Sequence, residues 1–173
     1  MIETFDRLVM VLAGERLSKV VEVNDNFTYL TVADGPLSGV NIIPGFDRVR
    51  EPLSDKAYPY ILIDLIAEEP EPARPALKKV SFSLDLAVYE PARSFAAIFG
   101  WKNRRGILSL ARDLRGHLKQ HETLKDASGI WAIGCQIGAT QYQTGATEKG
   151  IPNGKRYAAM TVTYWVPNEN ERT

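Results

Sequence analysis

Asp113, His117 and His121 stand four residues apart, a spacing that stacks one carboxylate and two imidazoles along one flank of a helix, where they could offer ligands to a divalent metal. These are the chain's only two histidines, and the pair lacks the glutamate of an HExxH motif. The chemistry they raise is that of a small metal-dependent hydrolase. Cys135, the single cysteine, could serve as a nucleophile with one of those histidines as base. The alternation around it, however, sets it on one face with Trp131, Ile133 and Ile137, the place of a core cysteine, and its being alone rules out an internal disulfide. Asp64 and Asp85 fall opposite the apolar faces of two strands and in some registers are diagonal neighbours, the arrangement of paired acid–base carboxylates. On an open sheet face such residues are ordinarily solvated charges. No G-x-S-x-G elbow, phosphate-binding P-loop or CxxC pair occurs. The reading is therefore of a protein that is not an enzyme, with no catalytic residue, cofactor or metal site assigned.

A basic cluster offers a different chemistry. Arg104, Arg105, Arg112, Arg115 and Lys119 gather on one flank of the helix expected over residues 104–121, with Lys102 just before them and Asp113 on the opposite flank. Such a stripe can face phosphates or an acidic protein neighbour. It lacks interleaved aromatics for base stacking, and 21 basic residues balance 21 acidic ones, so no net field draws nucleic acid. A nucleic-acid-binding accessory protein is the alternative this flank supports, through non-specific contact that weakens as salt rises.

The elements that must position these groups follow from periodicity. The chain has 173 residues, 45% hydrophobic and 24% charged, enough for one domain over residues 1–173 with a sizeable core. Phe5, Leu8, Val9, Leu12 and Ala13 mark an amphipathic first helix. Residues 20–57 are loop-rich, with a strand expected at Phe27–Val32 followed by turn chemistry. Two strands come next: Ile61, Ile63, Leu65 and Ala67 share one face of the first, and Val80, Phe82, Leu84, Leu86 and Val88 one face of the second.

The connection EEPEPARPALKK, residues 68–79, is rich in proline and reads as a protruding arm or long loop. Glu68, Glu69 and Glu71 at its start and Arg74, Lys78 and Lys79 at its end could meet a neighbouring subunit by charge complementarity. Ile107, Leu110, Ala111, Leu114 and Leu118 define the second helix, with Asn103 placed as its N-cap. Two closing strands follow, one through Trp131–Ile137 and one carrying Ala158, Met160, Val162, Tyr164 and Val166, joined as a hairpin with a long polar tip that includes the Pro152-Asn153-Gly154 turn.

Strands with one apolar face each predict an α+β fold: a mostly antiparallel sheet of about four or more strands with two helices packed on one face. The other face retains Tyr60, Leu62, Ile66, Ala87, Tyr89, Tyr157 and Trp165, either a protein contact or the packing surface for residues 20–57. The start MIETFDRLVMVLAGERL lacks the basic opening and cleavage region of a signal peptide, and no apolar run reaches the roughly 18 to 20 residues of a membrane span. The expected location is the cytoplasm.

The order of an N-terminal helix, a strand start YPYILIDLIAEE, a second strand VSFSLDLAVYE, a helix ILSLARDLRGHLKQHETL and a closing strand YAAMTVTYWV resembles the tail terminator, or tail completion, proteins of long-tailed bacteriophages and prophages. The likeness covers roughly Tyr58 to Val166 and is one of element order and pattern. It implies a structural virion-assembly protein: a homo-oligomeric ring, usually a hexamer, that caps the tail tube and joins it to the head. Its partners would be other copies of itself, the tail tube protein and the head connector proteins. It would sit in the host cytoplasm during assembly and then in the virion tail, with no membrane or small-molecule substrate. The basic flank would line a bore through which DNA passes or meet an acidic neighbour.

Overall fold

The structure, a computed structural model, describes residues 2–14, 17–22, 28–45, 55–91, 95–146 and 152–168. In chain order these form α1 (Ile2–Ala13), β1 (Leu17–Glu22), β2 (Thr28–Val32), β3 (Asn41–Pro44), a 3-10 turn at Asp55–Ala57, β4 (Tyr60–Pro70), β5 (Leu77–Tyr89), α2 (Ala96–Phe99), α3 (Ile107–Gln120), β6 (Gly134–Ile137), β7 (Gln141–Ala146) and β8 (Pro152–Pro167). The fold is α+β. One sheet runs in the order β1-β2-β3-β4-β5-β8, and β6 and β7 share the far side of β8. Every pair is antiparallel except β3 with β4.

Alternation on the long strands builds the core. Val80, Phe82, Leu84, Leu86 and Val88 of β5 lie beside Ala158, Met160, Val162, Tyr164 and Val166 of β8, all buried on the same face. The apolar stripes of α1 (Phe5, Leu8, Val9, Leu12, Ala13) and α3 (Ile107, Leu110, Ala111, Leu114, Leu118) close over that face. The ring of Phe82 is the meeting point, 6.0 Å from Phe5 and 6.5 Å from Tyr164 between centroids. Among the described residues no helix is long and apolar enough to cross a membrane.

Several expectations need correction. The apolar face of β4 does not run on to Ala67: a β-bulge between Leu65 and Ala67 puts Ala67 opposite Ser81 and throws Ile66 off the ladder. The proline-rich connection is no long loop. β4 and β5 pair out to Pro70 and Lys78, and only residues 71–76 turn between them, closed by backbone bonds from Glu71 to Leu77 and from Leu77 to Arg74. Pro70 stands at the strand's last position and Pro72 and Pro75 fall in the turn, so none removes a donor the ladder needs.

The second main helix begins at Ile107, and its N-cap is Gly106 rather than Asn103. Asn103 sits instead in a two-residue turn with Lys102, bridged by mutual backbone bonds of Trp101 and Arg104. Pro152-Asn153-Gly154 is not a turn but the start of β8, and the polar tip at 147–151 lies outside the described residues. Ile133 leaves the core face that Cys135 and Ile137 keep, and is 51% exposed.

Among its described residues, the segment 20–57 contributes strands, and its Tyr29, Ile43 and Ala57 also pack against Tyr60 and Leu62 at one end of the face away from the helices. β3 was not expected because Ile42 faces the helices and Ile43 the other side, both fully packed, so its four residues show no alternation. The buried side chain of Asn41 ties it down, donating from Nδ2 to Ala57 O at 2.8 Å and accepting from Thr31 Oγ1 at 2.8 Å.

Candidate functional site

The residues of the basic flank come together, and two carboxylates, Asp113 and Glu90, offset part of their charge. Arg105 bonds Asp113 at 2.7 Å, and Arg112 reaches the other oxygen of the same carboxylate at 3.1 Å. Asp113 therefore sits among the arginines, not on an opposite flank. Arg115 donates to Gly138 O at 2.6 Å and Thr140 Oγ1 at 3.2 Å, fastening α3 to the kink between β6 and β7. Arg104 pairs with Glu90, whose carboxylate is mostly buried just past the end of β5. Lys102 and Lys119 stand exposed.

The hairpin charges behave similarly. Lys78 pairs with Glu68 at 2.7 Å, a diagonal contact on the helix-side face. Glu71 folds back over the other face, where Lys79 Nζ lies at 2.9 Å and Trp165 Nε1 donates at 3.1 Å. Those two bonds, the lysine's first, hold its carboxyl below the usual range. Arg74 and Glu69 remain exposed, and Glu69 faces Lys79 across the ladder. Beyond Ile63 the outer edge of β4 has no strand beside it among the described residues, because β3 reaches only Tyr60–Ile63.

The candidate metal set of Asp113, His117 and His121 does not assemble. With Asp113 held by two arginines, His117 and His121 are left as a pair, their rings 4.5 Å apart beside a cleft of about 1000 Å³ between α1, α3 and the loop after it. His117 Nε2 donates to Val11 O at 2.8 Å. Burial first, and His117 second, lower the His121 pKa. Among the described residues no three His, Cys, Asp or Glu side chains could hold a metal ion. Cys135 lies half-buried against the core, and burial, with Glu122 adding, raises its thiol. Asp64 and Asp85 do become diagonal neighbours, opposite Ser83 and Leu62 respectively, and Ser83 Oγ donates to Asp85 at 3.2 Å.

On the face away from the helices, the apolar residues divide into two groups, one at each end. Tyr60 and Leu62 pack on Tyr29, Ile43 and Ala57, and Ala87 is fully buried. Tyr58 closes that end: its ring lies 5.1 Å from Tyr60 and 5.7 Å from Tyr89, its hydroxyl 3.4 Å from that of Tyr157, and Lys155 sits 5.3 Å above it. Burial drives the Tyr58 phenol far above its ordinary value and that of Tyr60 up to about 12. Between the ends run polar residues, Asp64, Ser81, Ser83, Asp85, Thr161 and Thr163, all at least partly accessible. Trp165 marks the hairpin end, and Ile66 is 54% exposed.

One surface was not singled out from sequence. Phe95, Phe99 and Trp101 are 47%, 69% and 45% exposed around α2 and the turn that follows, with Phe95 and Trp101 packed edge to face at 5.7 Å. The available signal was three aromatics within seven residues, Phe95, Phe99 and Trp101. Glycines hold the turn. Gly100 has φ +86°, and a Cβ on Gly106 would run into Gly100 N and Ile98 O, so the two chain segments touch through bare backbone.

No protein-family model and no curated protein matches this chain.

Proposed function

We propose that the protein is a structural subunit of virion assembly: a tail terminator, or tail completion protein, that closes into a ring on the tail tube and joins it to the head. The observation that carries this reading is the one-sided sheet. Helices cover one face, while the other is at least partly accessible along the polar middle of β4, β5 and β8, with a packed aromatic end at Tyr58 and Tyr60 and Trp165 at the hairpin end. A slab with its long strands on one side suits the wall of a ring, where the accessible face can line a channel or lie against a neighbour. The element order of the resembling family is also present: helix, long strand pair, helix, closing strand.

The arrangement of charge supports assembly over nucleic-acid chemistry. Asp113 and Glu90 offset part of the charge that the helical flank presents to phosphates. In this account the protein acts in the host cytoplasm during assembly and afterwards in the virion tail, and its partners are its own copies, the tail tube protein and the head connector.

The test is to incubate the purified protein with tail tubes of its own phage and image them. The reading expects density capping one end of each tube. Bare tube ends, or decoration along the tube wall, would reject it.

A further inference from the structure

Two exposed features sit at opposite ends of the long strands and have complementary chemistry. At one end the bulge in β4 projects Ile66 from the ladder, 54% exposed, with Glu69 exposed just beyond it along a strand edge that β3 does not reach, while Glu68 is taken up by Lys78. At the other end Phe95, Phe99 and Trp101 form an exposed aromatic turn with Lys102 at its tip. Arg104, Arg105 and Arg112 lie around the same turn and the adjoining start of α3. These four cations meet two carboxylates, Glu90 and Asp113, so positive charge is left over, and the side chains of Arg104 and Arg112 are 70% and 78% exposed.

The two features cannot meet within one molecule. Ile66 lies level with Ser81–Phe82 of β5, whereas Arg104 is anchored at Glu90, about eight residues or roughly 30 Å further along the strand direction.

We infer that the bulged end of β4 in one copy seats on the aromatic turn of the next, Ile66 on the Phe95–Phe99–Trp101 surface and Glu69 toward Lys102. This deepens the assembly reading proposed above and rests on it for the identity of the partner as a second copy. The contact joins unlike surfaces and is heterologous, so each copy keeps one unused half and addition continues until a ring closes. Aromatic side chains with cationic neighbours are the composition of energetically dominant interface positions, and the opposed charges set register and orientation.

The test uses two full-length variants, each with a thermal melt close to wild type. One carries Phe99→Ser with Lys102→Glu, which spoils the turn; the other carries Ile66→Ser with Glu69→Lys, which spoils the β4 end. Masses are read by light scattering, alone and as an equal mixture. Each variant alone should lose about tenfold or more in self-association and run as a single chain. The mixture should form a dimer, because one intact turn and one intact β4 end remain between the two proteins. A mixture that stays monomeric, or a variant that keeps the wild-type assembly, overturns the inference while leaving the ring reading in place. Wild-type protein that stays monomeric from dilute to concentrated solution overturns both.

Discussion

At the scale of residues, three side-chain arrangements make separate predictions. Gly106 has no room for a methyl group, since Gly100 N and Ile98 O occupy the position. Gly106→Ala should cost about 1–3 kcal/mol through forced backbone movement, read as a lower melting temperature. His121 has a pKa below the ordinary imidazole value of 6.5. Between the two values the unfolded chain binds a proton that the folded chain does not, so acidification below pH 6.5 favours unfolding. Wild type should therefore lose more stability than His121→Gln as pH falls through that range; equal slopes in melts across pH would contradict it. Asp126 is shifted the same way for a different reason. Hydrogen bonds from Ser128 and then the Arg7 guanidinium, at 2.5 Å, hold its carboxyl at about 2. The clasp from α1 to this loop, with Arg7 also lying over the Trp131 ring, is complete above the ordinary carboxyl value of 3.8 and is lost as pH falls through about 2. Asp126→Asn should show less acid-dependent loss over that window than wild type.

At the scale of elements, the apolar stripe of α3 outweighs its charged flank. Leu114→Ala removes a fully buried side chain and should cost about 2–5 kcal/mol, whereas Lys119→Ala on the exposed side should stay within about 0.5 kcal/mol. Denaturant melts of the two distinguish these directly. The same contrast explains what the sequence could convey. Ile107, Leu110, Ala111, Leu114 and Leu118 repeat with the helix period, and the alternating faces of β5 and β8 repeat with a period of two, because each element meets the core on one side only. β3 is packed on both sides, and β7 is a polar edge strand with Tyr142 half exposed, so neither carries a period. Ion pairs were least legible of all. Asp113 can be placed on a wheel, but its bond to Arg105 depends on how the chain enters α3, and the tie from Arg115 to Gly138 O depends on where β6 ends. The bulge at Ile66 reversed the assignment of Ala67 for a related reason: one extra residue switches every later side chain to the other face.

At the scale of the whole molecule, the core and the outer surface follow different rules. Phe82, Tyr164 and the helix stripes satisfy each other within one chain. Ile66 at the bulged end of β4 and the aromatic turn stay exposed and lie apart from the core. Three exposed aromatics beside a cationic turn are a hydrophobic exposure that association would relieve. The account therefore stands on self-association into a closed ring. The most direct measurement is the solution mass of the purified protein by light scattering over a wide concentration range, with particle imaging of any large species. The account predicts a defined multiple of the single-chain mass and a closed ring in the images. A mass equal to one chain at every concentration, or open-ended aggregates of no fixed size, would contradict it.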